Sequence, residues 1–302
     1  MRILFSFLLA TASLLHADLV QDVRSAIAQN NFTAGERAID AYRKAQGETP
    51  ESILALSWLG RGAQAVKRWD DAERYAGATR KLLDQQLKQR KLDAEPVLPT
   101  ALGASIEVMG HALAGRGQLS EAVALLKTEL KTWYPTSIRA RIQKNLHLLS
   151  LEGKPAPALE TKLSLGGPTP SWVQLRGKPL LLFFWAHWCP DCKSMSESLI
   201  RLQQQYGSKG LTIVGATQRY GYIGPGEDVP QERETRYIDE IRRTSYGGLQ
   251  MFVPLSEENF KAYGSSTSPT LVLVDPAGIV RLYHPGRMSF KELEPLIAKL
   301  TN

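Results

Sequence analysis

The stretch "LEGKPAPALETKLSLGGPTP", residues 151–170, divides this 302-residue chain into two halves that cannot share one architecture. Pro155 and Pro157 forbid helix continuation, because each lacks an N–H and clashes with the preceding turn. Before this stretch, from Asp18 to about Leu151, Ala, Leu, Gln, Glu, Lys and Arg dominate, and apolar residues recur at intervals of three and four. That is helix composition with helix periodicity. After it, short apolar runs alternate with amphipathic ones: "PLLLFFWA", a helix from Pro190 to about Tyr206, "LTIVGAT", a long loop, a helix through "ETRYIDEIRRTS", a short helix near "SEENFKAYG", a hairpin "TLVLVDPAGIVRLYH", and a closing helix "SFKELEPLIAKL". This order predicts an α/β domain with a mixed sheet. Within "DPAG", Pro276 presets φ and Gly278 accepts a positive one, which sets the hairpin turn. The expected boundaries are 1–17 for a leader, 18–150 for an all-α domain and 151–302 for the α/β domain.

Three segments of the helical half are alike: "NNFTAGERAIDAYRKA" from Asn30, "KRWDDAERYAGATRKLL" from Lys67 and "GQLSEAVALLKTEL" from Gly117. Each starts a helix with a bulky residue (Phe32, Trp69, Leu119) and places a small one (Gly35, Ala72, Ala122) one turn later, where two helices can approach closely. About three helix-turn-helix pairs result, and they resemble a tetratricopeptide-repeat array. The spacings of 37 and 50 residues depart from a regular period, with "KLDAEPVLPT" as an insertion. A plain helical bundle is the alternative.

The opening "MRILFSFLLATASLLHADLV" has a basic start at Arg2, an apolar run from Ile3 to Ala10 and a smaller, more polar exit to Ala17. This is the pattern of a secretory signal peptide, and its run is too short to span a bilayer. Leu15 sits where cleavage prefers a small residue, so a retained anchor is the other reading. No later segment is read as long and apolar enough to cross a membrane, which predicts a soluble periplasmic or secreted protein in a compartment that permits disulfides. The net charge of +7 is thinly spread, with 19 Lys and Arg against 15 Asp and Glu in residues 18–150, and 17 against 15 in residues 151–302. Nucleic acid is therefore disfavoured as a partner.

Only two cysteines occur, Cys189 and Cys192, both in "FFWAHWCPDCKSM". Structural zinc needs four ligands, and His111, His147, His187 and His284 supply no paired motif, so neither metal nor cofactor is expected. A bridge between residues three apart closes a tiny loop and restrains the unfolded chain little. That leaves a redox dithiol. The strand "PLLLFFWA" should turn at His187 and Trp188 into a helix with Pro190 in its first turn. Cys189 then lies at the helix N-terminus, where free N–H groups and the dipole favour a thiolate, and Cys192 lies one turn on within bonding reach.

The segment "FFWAHWCPDCK" resembles the active site of the thioredoxin superfamily. "LSLGGPTPSWVQLRGKPLLLFFWAHWC" and "YGSSTSPTLVLVDPAGIV" are similar to its extracytoplasmic branch, which includes the TlpA and ResA proteins, over about residues 155–302. The resemblance implies a thiol-disulfide oxidoreductase in which Cys189 attacks a partner's disulfide and Cys192 resolves the mixed disulfide. It implies a cis proline at Pro269, strand-like pairing of a client with the backbone of Ser268, and contacts from Trp188, Pro190 and Asp191. The partners implied are a protein client carrying a disulfide or dithiol, an electron-donor thiol protein and a docking partner on the helical repeats. Since the relatives reduce, reduction is the expected direction.

The sequence departs from the family at two positions. Phe183 stands where thioredoxins keep a buried acid, and Met195 where ResA-like proteins carry one. Proton transfer for Cys192 is left to Asp191, His187 or water, and Asp191 opposes a neighbouring thiolate. The loop "QRYGYIGPGEDVPQERET" should overhang the dithiol, with Tyr220 and Tyr222 selecting the partner. The competing reading is a helical-repeat adaptor or redox sensor that uses the dithiol for tethering. A peroxidase is disfavoured because "FWAHWC" lacks the Pro and Thr that precede a peroxidatic cysteine.

Overall fold

Short polar side chains start the first helices. Asp18 caps α1 (Leu19–Ala28) by accepting from Gln21 N, and Asn31 caps α2 (Phe32–Gln46) by accepting from Ala34 N. Thr49 and Ser52 cap each other across the first turn of α3 (Pro50–Ala65), with Pro50 where no N–H is needed. In this computed structural model, which describes residues 18–224 and 228–301, α4 (Trp69–Gln86), α5 (Val97–Gly115), α6 (Leu119–Thr132) and α7 (Arg139–Ser150) complete the helical half. The expected leader, residues 1–17, lies outside the described residues.

Small residues bring these helices together. A Cβ on Gly35 would stand 2.8 Å from Leu59, and Ala72 and Ala122 are fully buried. The three similar segments are not equivalent, however: Phe32 is buried whereas Leu119 is 50% exposed. Helix α5 corrects one expectation. It is long and apolar enough to cross a membrane by length and composition, but its apolar side chains, among them Leu98, Leu102, Ile106 and Val108, are buried against neighbouring helices. Beside them, Glu107 takes an ion pair from Arg141 (3.0 Å) and a hydrogen bond from Asn145 (3.2 Å), both on α7. Burial alone would raise the Glu107 pKa, but Arg141 and Lys144 hold it down at about 2.

The second half contains β1 (Ser164–Leu165), α8 (Trp172–Leu175), β2 (Leu180–Phe184), α9 (Pro190–Ser194), α10 (Ser196–Tyr206), β3 (Thr212–Val214), α11 (Gln231–Tyr246), β4 (Val253–Pro254), α12 (Glu257–Tyr263), β5 (Thr270–Val274), β6 (Val280–Pro285) and α13 (Phe290–Leu300). The sheet is mixed, in the order β3-β2-β5-β6: β2 and β3 run parallel, and the other pairs are antiparallel. A separate two-stranded ribbon joins β1 to β4. Strand β2 is buried on both faces, and its side chains alternate between two cores. Leu181 and Phe183 pack with α10, α11 and α13, while Leu180, Leu182 and Phe184 pack with α12.

Two features differ from the sequence reading. The single helix expected from Pro190 to Tyr206 is broken at Met195, whose N–H reaches back only three residues to the Cys192 carbonyl. That tighter turn lets the cysteine turn and the long helix take different directions. The proline-rich junction is also bonded to the sheet. Gly153 N donates to Val280 O, Ala156 N to Gly278 O, and the Tyr263 hydroxyl to Pro157 O at 2.5 Å. Helix α7 packs directly on α12.

Candidate active site

The site is built where β2 leaves the sheet. Trp185 is fully buried; its indole N–H donates to Gly215 O at 2.9 Å, and its own carbonyl accepts from the Thr217 hydroxyl at 2.9 Å. These bonds hold the strand end to the loop after β3. The chain then turns tightly, with Cys189 N donating to Ala186 O at 3.1 Å, and enters α9 with Cys189 as N-cap and Pro190 as first residue. The turn leaves Trp188 45% exposed and buries His187 fully.

Cys189 and Cys192 are disulfide-bonded, with their Cα atoms 5.3 Å apart. Cys192 N–H donates to Cys189 Sγ at 3.0 Å, so the first sulfur already holds a backbone donor of the kind that stabilises a thiolate. Cys192 is fully buried and Cys189 is 2% exposed, whereas Pro190 and Asp191 between them face solvent. Phe183 and Met195 are buried in the same apolar cluster as both sulfurs.

The Ser268–Pro269 peptide bond is cis. Register places it: Phe184 pairs with Thr270, so Pro269 sits at the same end of the sheet as the Trp185–Cys189 turn. Pro269 O accepts from Gly286 N at 2.8 Å. Tyr220 comes from the loop after β3. Its ring stands edge-on to Trp188 at 5.5 Å, and its hydroxyl lies beside Gln218 and Ser268 without a well-formed hydrogen bond. Burial pushes the Tyr220 pKa up to about 12. Tyr222 packs on His187 at 5.7 Å instead of reaching the Trp188 face, and burial raises its pKa. Residues 225–227 of this loop lie outside the described residues.

Sequence reasoning missed Glu234 on α11. Its side chain is 1% exposed and accepts from Tyr220 N and from Gly221 N, the latter at 3.0 Å, so it anchors the aromatic loop. One of its oxygens lies 3.5 Å from His187 Nε2. Tyr220, Tyr222 and Tyr237 surround the imidazole edge-on at 5.5–5.7 Å. Burial lowers the His187 pKa, and Glu234 opposes that effect. No signal in "ETRYIDEIRRTS" separates Glu234 from its solvated neighbours. Among the described residues no group of three or more His, Cys, Asp or Glu side chains could hold a metal ion.

Residues 170–301 match the family described as Thioredoxin-like domain. The second half of this chain is a thioredoxin-like domain. The Thioredoxin-like protein YneN of Bacillus subtilis is 27% identical over 144 residues, covering 47% of this chain and 76% of that relative. The Thiol:disulfide interchange protein DsbE of Yersinia pestis is 29% identical over 156 residues, covering 50% of this chain and 74% of that relative. Among solved structures, a thiol:disulfide interchange protein of the thioredoxin family from Chlorobium tepidum is 22% identical with a TM-score of 0.41, covering 50% of this chain and 98% of its own. The family match covers residues 170–301, so the helical half lies outside it.

Proposed function

We propose that this chain is an extracytoplasmic enzyme of the TlpA and ResA type, reducing protein disulfides through the Cys-Pro-Asp-Cys dithiol, with a tetratricopeptide-like helical domain that takes part in client binding. Its chemistry is thiol-disulfide exchange. The observation that carries the reading is the bonded Cys189–Cys192 pair, with Cys192 N–H on Cys189 Sγ and exposed Trp188 beside it, at the sheet end where Pro269 is cis. The location outside the cytoplasm is supported by the secretory pattern of residues 1–17.

In the reducing direction the Cys189 thiolate attacks one sulfur of the client's cystine. A mixed disulfide forms and the client's other sulfur leaves as a thiolate. Cys192 then loses its proton and attacks Cys189, releasing the second client thiolate. The client gains two electrons and, once its thiolates are protonated, two protons, while Cys189 and Cys192 are left as a disulfide. Trp188 and the Ser268 backbone hold the client segment beside Cys189 during the first step.

The direction is tested by equilibrating the purified chain in glutathione or dithiothreitol redox buffers and reading the Cys189–Cys192 potential. A value near about −270 mV, that of thioredoxin, supports a reductase; one near about −120 mV would reverse the direction.

A further inference from the structure

Beside the dithiol lies a cleft of about 700 Å³ to which both halves of the chain contribute. One wall is the turn from α6 into α7, with Tyr134 and Arg139; the other carries Trp188, Tyr220 and Ser268. Two buried polar atoms on residues lining this cleft, Arg139 Nε and Ser265 Oγ, have no hydrogen-bond partner, and the Tyr220 hydroxyl has only the poorly aligned neighbours Gln218 and Ser268. Ser265 is only 6% exposed. Buried polar atoms are nearly always paired, and leaving one unpaired costs about 1–3 kcal/mol. Under-used donors and acceptors on residues of one cleft suit a ligand that offers both, as an extended main chain does.

The two cations of the cleft differ in their partners. Lys261 is neutralised by Glu257 at 3.0 Å and Glu258 at 2.9 Å. Arg139 makes no ion pair among the described residues, and its guanidinium lies over the Tyr134 ring at 3.8 Å. Tyr134 is 53% exposed, so the stacked pair is reachable from solvent. A guanidinium held flat on a ring keeps its N–H fork directed in one plane, which suits a carboxylate.

We propose that this cleft is the docking groove for an extended acidic polypeptide segment next to the client's cysteine, with Arg139 of the helical half receiving a carboxylate of that segment. The proposal rests on the oxidoreductase reading and gives the client a chemistry. The helical half then selects clients by charge at the rim of the reactive disulfide, and the segment's main chain completes the unpaired groups.

The test uses the full oxidised chain and a short fluorescein-labelled peptide with serine in place of cysteine, in two versions that differ only in glutamate or glutamine beside the serine. Fluorescence anisotropy should show the glutamate peptide binding about tenfold more tightly, as expected for a hydrogen-bonded charge pair. Arg139→Gln should remove that preference by weakening the glutamate peptide most, and an unchanged circular-dichroism spectrum reports an intact fold. Arg139→Lys should keep part of it. Equal affinity of the two peptides, no binding of either, or a preference that survives Arg139→Gln would overturn the groove. Exchange of the reduced protein with hydroxyethyl disulfide is measured in parallel. If that exchange is missing, the oxidoreductase reading fails on its own account, while the anisotropy still decides the groove. A loss of that exchange in Arg139→Gln would count against a client-specific role, because so small a disulfide does not fill the cleft.

Discussion

The Nε2 atom of His147, on the last helix of the helical half, lies 2.9 Å from the carbonyl oxygen of Ala262 on α12 of the thioredoxin-like half. A carbonyl can only accept, so the proton belongs on Nε2 and the imidazole is neutral or fully protonated in that contact. The ring also stands edge-on to Tyr283 at 5.5 Å, and the Tyr283 hydroxyl donates to Tyr263 O at 2.8 Å. The helical half is thereby seated on the helix that precedes the Ser268–Pro269 segment. The groove beside Trp188 depends on this seating.

Gly264 is the tightest point of that junction. It has φ +60°, and a Cβ there would stand 2.7 Å from the carbonyl carbon of Gln143 and 2.8 Å from Lys144 Cα. Backbone atoms on both sides leave little room to adjust. Gly264→Ala should cost about 2–4 kcal/mol of stability and loosen the two halves. The check is the urea midpoint together with limited proteolysis in the 151–160 segment, which should become faster.

Stability should fall on mild acidification. Burial lowers the pKa of both His147 and His187 below the free value of 6.5, with the Ala262 carbonyl and Glu234 opposing it respectively. Between the folded and unfolded pKa values the unfolded chain binds more protons, so stability rises with pH in that window. The stabilisation is complete above about 6.5 and is lost as pH falls through the folded values. Urea midpoints at pH 7.5 and 5.5 should show the drop, and replacing both histidines with glutamine should flatten it.

Trp188 is exposed at the dithiol turn, so Trp188→Ala should leave stability within about 1 kcal/mol of the parent. Reduction of a cystine-containing peptide should slow roughly five- to tenfold in kcat/KM, as expected for losing one aromatic contact. Hydroxyethyl disulfide, which is too small to use the platform, should react at nearly the parental rate. A stopped-flow comparison of the two substrates separates these effects.

Glu234 should act as an anchor. Glu234→Ala leaves the amides of Tyr220 and Gly221 without their acceptor and should cost about 2–4 kcal/mol. Hydrogen exchange should speed at these two amides more than in β2, and Tyr220 should lose its fixed orientation against Trp188.

The readable and the hidden parts of this molecule divide by locality. The change at Pro155 and Pro157, the mixed sheet and the dithiol turn were legible because each depends on residues close in the sequence: prolines that stop helices, a run from Leu180 to Phe184 buried on both faces, and two cysteines astride Pro190. The break at Met195 was not, since it arises from a tighter turn within a stretch of good helix formers. Glu234 and Arg139 were not either. Glu234 looks like any surface glutamate until the loop at Tyr220 folds over it, and Arg139 meets the site across a junction between halves that sequence periodicity does not describe. Helix α5 shows the same limit from the other side: its composition fits a membrane, and only its neighbours show that its apolar face belongs to a core.

The central claim is that Cys189 makes, and Cys192 breaks, a covalent bond to a protein client. Incubating each reduced single-cysteine variant with a disulfide-bonded protein such as insulin, then separating the products without reductant, tests it most directly. Cys192→Ser should accumulate a mixed disulfide through Cys189, Cys189→Ser should accumulate none, and the parent should release reduced client. A Cys192→Ser protein that never becomes linked to its client, although its remaining thiol is free and reduced, would contradict the account.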